Sequence, residues 1–168
     1  MFYRASVQLP NVNQLQNVIN ISNPLFFRTG NPELDQSYQH FVGGRYSYTD
    51  APSGKNFFAG VFTRLNSDYV TNATWIASKD SVLGTDIILR RGSQISKPIN
   101  LDGFISLRSY LNYGMPLKFM KSNLNLSSGV TYERLPGQVN NVNNFTHSYA
   151  YNLGVNIGSN ISEYIDFN

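Results

Sequence analysis

The sequence predicts an all-β fold, a segment of an antiparallel up-and-down transmembrane β-barrel with about six or seven long strands. Three observations predict it. Apolar and polar residues alternate over stretches of a dozen residues, ionised side chains keep to one parity of those alternations, and the connections between them run short, long, short, long. The chain of 168 residues is read as part of a single barrel domain, residues 1–168.

A first, partial alternation begins at Phe2, with Tyr3, Ala5, Val7 and Leu9 on one side. Residues 12–19 can then form one or two helical turns, with Asn11 or Asn13 as the cap. Residues 38–49 set Tyr38, His40, Val42, Gly44, Tyr46 and Tyr48 against Gln39, Phe41, Gly43, Arg45, Ser47 and Thr49. Residues 57–70 set Phe57, Ala59, Val61, Thr63, Leu65, Ser67 and Tyr69 against Phe58, Gly60, Phe62, Arg64, Asn66, Asp68 and Val70. The third long alternation, 101–113, opposes Leu101, Gly103, Ile105, Leu107, Ser109, Leu111 and Tyr113 to Asp102, Phe104, Ser106, Arg108, Tyr110 and Asn112. In 123–133, Leu124, Leu126, Ser128, Val130 and Tyr132 face away from Asn123, Asn125, Ser127, Gly129, Thr131 and Glu133. Residues 144–158 place Phe145, His147, Tyr149, Tyr151, Leu153, Val155 and Ile157 opposite a run of Thr, Ser, Ala, Asn and Gly. A last alternation starts with Ile165 and Phe167.

Across the five long alternations the apolar parity holds no Asp, Glu, Lys or Arg, whereas Arg45, Arg64, Asp68, Asp102, Arg108 and Glu133 fall on the other. A charge facing lipid near the midplane costs about 2–4 kcal/mol and one facing the lumen does not, so the apolar parity is assigned to lipid and those six residues to the lumen. A soluble antiparallel sandwich also alternates, but its wet face is expected to carry Lys, Glu and Thr rather than Gly, Ser and Asn. Short connections are 50–55, 114–121 and 159–163; long ones are 10–36, 72–100 and 134–143. All short turns then lie at one end and all long loops at the other, as in outer-membrane barrels. Tyr46, Tyr48 and Phe57 flank the first short turn, and Tyr113 and Phe119 the second, the placement of an interfacial aromatic girdle. The second long loop carries Lys79, Asp80, Asp86, Arg90, Arg91 and Lys97, which suits a water-exposed segment.

Composition narrows the function classes. Charged residues make up 14%, well below the roughly one quarter of soluble domains. The net charge is +3, yet the thirteen basic residues are scattered, so no nucleic-acid partner is expected. There is no cysteine, which removes disulfides and cysteine-based metal or nucleophile sites. Met1-Phe2-Tyr3-Arg4-Ala5 does not begin a secretory signal, and no apolar run approaches a membrane helix. His40 and His147 stand on apolar parities without a second His or carboxylate, a girdle position rather than an acid/base one. Ser53-Gly54-Lys55 lacks the rest of a phosphate loop and reads as a turn. The triplets at Asn72, Asn125 and Asn144 fit glycosylation acceptors, as chance allows in an Asn-rich chain. No paired carboxylates have catalytic spacing. The expectation is a protein that is not an enzyme and uses no catalytic residue, metal or cofactor.

About thirty residues carry a resemblance. Gln14-Leu15-Gln16-Asn17-Val18, then Asn23-Pro24-Leu25, then Gly30-Asn31-Pro32-Glu33-Leu34 resemble the barrel region of TonB-dependent outer-membrane receptors, in the form of the barrel family abundant in Bacteroidetes. Asp35-Gln36-Ser37 stands where related receptors usually continue with Lys-Pro-Glu; Pro98-Ile99-Asn100-Leu101-Asp102-Gly103 and Asn112-Tyr113-Gly114 are similar to the family as well. Physically, Gly30, Asn31 and Pro32 make a rigid turn from loop to strand. The resemblance implies a C-terminal piece of a barrel of about 22 strands in a Gram-negative outer membrane, with a plug domain and a TonB-contacting segment outside these residues. It implies as partners outer-membrane lipid, the rest of the barrel and its plug, TonB, and a solute captured by residues 25–33, 79–97 and 135–142. Six or seven strands fall short of the eight or so that close a barrel, which also argues for a piece of a longer one. Two alternatives accompany that reading, a plug-less porin or structural barrel and a soluble β-sandwich binding module.

Overall fold

A computed structural model describes residues 1–83, 87–162 and 165–167. Its elements, in chain order, are β1 (Phe2–Gln8), α1 (Val12–Leu15), β2 (Phe26–Arg28), β3 (Ser37–Asp50), β4 (Lys55–Ser67), β5 (Tyr69–Ile76), β6 (Ser81–Leu83), β7 (Ile87–Leu89), β8 (Gln94–Leu101), β9 (Phe104–Leu117), a 3-10 turn (Lys118–Met120), β10 (Ser122–Val139), β11 (Val142–Ser162) and β12 (Ile165–Phe167). No described helix is long and apolar enough to cross a membrane.

The long alternations become one antiparallel wall, β1-β3-β4-β9-β10-β11-β12. Its register merges the separate parities into two faces. Tyr48 lies opposite Phe57, Phe57 opposite Tyr113, Tyr113 opposite Leu126 and Leu126 opposite Val155, so the apolar sets share one side. A slip of one residue in any pair would put a greasy set among the asparagines, which is why the pattern specifies this register. The apolar face is bare in the isolated chain: Leu153 is 86% exposed and Tyr151 72%.

Several sequence expectations are corrected. Strands number twelve among the described residues rather than six or seven, because two of the three long connections, 10–36 and 72–100, contain strands. The order is not purely up-and-down: β2 pairs in parallel with β8, and the end of β10 pairs in parallel with β5. The sheet is not closed. Residues 134–143 are not a loop; β10 runs on to Val139 and turns at Asn140 and Asn141, whose φ values of 48° and 67° suit a two-residue hairpin turn. That extension brings Arg134 onto the apolar side, opposite Ile105 and His147, so charge segregation is not complete. The alternations 57–70 and 101–113 are each broken, at Asp68 (φ 52°) and at Gly103 (φ 101°), where the chain leaves and rejoins the wall.

The long connections fold together. β5, β8 and β2 form a small sheet beside the wall, and it holds two well-buried apolar residues, Ala73 at 0% and Phe27 at 4%. The helical turn α1 is capped by Asn11, whose side chain accepts from Gln14 N–H while the Gln14 side chain accepts from Asn11 N–H. The β10 tip is bonded to β5. Asn140 N–H donates to the Thr74 carbonyl (2.9 Å), Ile76 N–H to Asn140 Oδ1 (2.8 Å), Trp75 Nε1 to Asn141 Oδ1 (2.6 Å), and Thr71 Oγ1 to the Pro136 carbonyl (2.9 Å).

Candidate functional site

The polar face carries a concavity of about 790 Å³ that spans β1, β3, β4, β9 and β10. Two register rows build it. In one, Arg4 lies opposite Phe41, Phe41 opposite Arg64, Arg64 opposite Ser106 and Ser106 opposite Glu133. In the next, Phe2 is opposite Gly43, Gly43 opposite Phe62 and Phe62 opposite Arg108. Arginines and rings therefore interleave across neighbouring strands.

Glycines let the rings lie flat. A Cβ at Gly43 would come 2.7 Å from Phe62 Cδ1 and 2.8 Å from Phe2 Cζ, and one at Gly60 would come 2.5 Å from Tyr110 Cε1. Each ring thus covers backbone that lacks a side chain on the adjacent strand. The result is a run of contacts: Phe2 to Phe41 at 5.6 Å, Phe41 stacked on Phe62 at 6.1 Å, and Phe62 stacked on Tyr110 at 6.1 Å. Around it, Ser106 Oγ donates to Glu133 Oε1 (3.1 Å), and the Arg64 guanidinium sits 5.0 Å from the Phe104 ring centre, with Tyr69 stacked on Phe104 at 4.4 Å. Three guanidiniums against one carboxylate give the patch a positive surface. Flat rings beside forked donors can hold a molecule with an apolar or planar body and oxygen acceptors.

Of the sequence-assigned residues, Arg64, Arg108 and Glu133 meet here. Arg45 projects from the same face, exposed, outside the concavity. Asp68 and Asp102 lie elsewhere, at the seam between wall and loop sheet, where Asp102 Oδ1 accepts from Asp68 N–H (2.9 Å) and Asn100 Nδ2 donates to the Asp68 and Asp35 carbonyls. Arg4, Phe41, Phe62 and Tyr110 were not among the sequence candidates. Their signal was the presence of Arg and large rings on a parity otherwise filled with small polar residues.

A second polar concavity, about 460 Å³, opens on the loop sheet between α1, Arg28, Thr29, Asn72 and Pro98. Beneath it the Gly30-Asn31-Pro32 turn is packed inside. Gly30 N–H donates to the Gln16 carbonyl and Asn31 N–H to the Gln14 carbonyl, so a side chain at Gly30 would meet backbone. Asn31 is 8% exposed; its Nδ2 donates to the Pro98 carbonyl (3.0 Å) and its Oδ1 accepts from Glu33 N–H. This turn is the joint between the two long connections. Of the expected capture segments, 25–33 and 135–142 meet the β5-β8 sheet, and within 79–97 residues 84–86, including Asp86, lie outside the described residues.

Comparison with curated proteins and with solved structures gave no match. A comparison with protein families gave one that covers residues 1–168, described as the outer membrane protein beta-barrel family. With an alternating, two-faced antiparallel wall already in view, that match over the whole chain settles the kinship: the chain belongs to the outer membrane protein beta-barrel family, and its place is the outer membrane.

Proposed function

We propose that the chain forms part of the wall of an outer-membrane receptor or transporter, of the TonB-dependent kind, that takes up a solute. The observation that carries this reading is the concavity lined by Arg4, Arg64, Arg108, Glu133 and stacked rings, on the face opposite the apolar one. In this reading the apolar face meets lipid and the polar face lines the lumen, where those side chains hydrogen-bond to water, to a plug domain or to the passing solute. Open sheet edges call for further strands of the same barrel, since unpaired backbone in lipid costs several kcal/mol per group. The joined long connections on the outer side would make the first contact with solute, and TonB would act through a plug outside these residues. Family membership sets aside the soluble sandwich.

A plug-less porin or structural barrel is the remaining alternative, and it shares every wall feature. Conductance of the intact protein in planar bilayers separates the two. A plugged receptor gives no steady current, and its solute uptake stops in cells lacking TonB. Stable open channels, with uptake indifferent to TonB, would overturn the proposal in favour of the porin.

A further inference from the structure

Among the described wall residues, Arg134 is the one ionised side chain on the apolar face away from the short turns. Its surroundings form a small built site. The guanidinium carbon lies 3.9 Å from the centre of the Phe145 ring, which belongs to the pair two residues nearer the long-connection end, so the side chain reaches away from the membrane centre. Nε is buried without a hydrogen-bond partner. His147 stands directly opposite Arg134, its Nδ1 3.0 Å from the Tyr132 hydroxyl, which leaves Nε2 without a partner among the described residues. Tyr149 packs on Tyr132 at 5.0 Å and is 60% exposed.

Height fits the headgroup layer. Leu153, the most exposed apolar residue of β11, pairs with Ser128, and Arg134 is six residues further along β10. Six residues span about 20 Å of strand, or about 15 Å along the normal at a 40° tilt, just past the half-height of a band about 25 Å tall. Tyr132 and Tyr149 then occupy the aromatic belt and Arg134 the charged layer above it.

We propose that Arg134, with His147 and the Tyr132–Tyr149 belt beneath, binds a phosphate monoester of an outer-leaflet lipid headgroup, rather than a phosphodiester, from the outside of the barrel. The planar fork of a guanidinium matches two phosphate oxygens, and a lipid tail would lie along Tyr151 and Leu153. This rests on the lipid-facing assignment of the apolar side, so the experiment tests both separately. The intact protein, purified in dodecyl maltoside, is given diphosphorylated lipid A or phosphatidylcholine, and retained lipid is read by native mass spectrometry. The expected result is preferential retention of lipid A, weakened about tenfold or more by Arg134→Gln, the loss of one charge-assisted interaction. His147→Gln should weaken it less, and Lys55→Gln, at the opposite rim, should leave it unchanged. Heat-modifiable gel mobility confirms that each variant is folded. Equal retention by Arg134→Gln and the parent, or equal retention of both lipids, overturns the site; inorganic phosphate alone binding as tightly as lipid A overturns the lipid source. If Leu153→Arg assembles normally, the facing assignment itself fails, whatever the lipid result.

Discussion

Leu153→Arg against Asn156→Arg tests which face meets lipid. Leu153 pairs with Ser128 and is 86% exposed in the chain, and four residues on either side separate it from Tyr149 and Ile157. Four residues are about 13 Å of strand, about 10 Å along the normal at 40° tilt, so position 153 lies near the centre of an apolar band about 25 Å tall. An arginine there costs about 2–4 kcal/mol, or about 30- to 700-fold in the folding equilibrium. Asn156 is on the other face, opposite Asn125, beside a concavity of about 330 Å³ lined by Asn56, Asn112, Ser127 and Gly154. An arginine at 156 extends into polar space at little cost. The assay is urea titration of the intact protein in phosphatidylcholine vesicles, scored by the gel shift between folded and unfolded barrel. Leu153→Arg, and Val155→Arg more weakly, should lower the midpoint or abolish folding, and Asn156→Arg should leave it within error. Equal midpoints for Leu153→Arg and Asn156→Arg would refute the facing argument, because both substitutions add the same single charge and the faces they put it on are opposite.

Three further outcomes concern packing. Gly60→Ala should destabilise by about 1–3 kcal/mol, since its methyl would meet the Tyr110 ring, and most of that penalty should vanish in a Tyr110→Ala background; an unchanged penalty removes the ring from the glycine. Asn31→Ala strips the Pro98 carbonyl of its buried donor, a loss of about 1–3 kcal/mol. Faster proteolysis within residues 9–36 should report it, and an unaltered cleavage rate counts against the joint. Asn141→Ala removes both a residue tolerant of φ 67° and the acceptor for Trp75, so emission from this single tryptophan should shift to the red; the same emission maximum would place the β10 tip elsewhere.

The wall was legible because a period of two survives in every long strand and a one-residue slip would mix the faces. The loop sheet was not. β2 is three residues long, and β8 contains Pro98, which ordinarily argues against a strand. The structure accommodates that proline because β2 covers only Gln94, Ile95 and Ser96, leaving one edge of β8 free of backbone pairing at Pro98, whose carbonyl is taken by Asn31. Residues 134–143 read as a long loop because the alternation of 123–133 is interrupted by Pro136 and Gly137, but the two asparagines between Val139 and Val142 carry the left-handed conformations a tight hairpin needs, and the strands stay in register through Pro136 opposite Phe145. As for the site, Arg64, Arg108 and Glu133 followed from parity alone. Their convergence with Arg4 depends on β1 pairing with β3, which no local pattern encodes.

The same long-range pairing decides which part of the outer end can move. Besides the parallel pairing of Gln138 and Val139 with Ala73 and Thr74, four hydrogen bonds, from Asn140, Ile76, Trp75 and Thr71, tie the β10 tip to β5, and at about 1 kcal/mol each these four alone hold it by about 4 kcal/mol. An opening there has a population of about one in a thousand or less, so the tip and the loop sheet behave as one body. Residues 9–25 are tied on by hydrogen bonds from Gly30 N–H and Asn31 N–H to the Gln16 and Gln14 carbonyls, by the bridge between Asn20 and Arg28, and by Gln94 N–H donating to the Leu25 carbonyl, while Val12, Val18 and Ile21 stay exposed. Burial, not hydrogen-bond number, separates the two parts: β5 carries the fully buried Ala73 whereas Val12, Val18 and Ile21 bury little, so amide hydrogens of residues 12–21 are expected to exchange before those of β5 and the β10 tip.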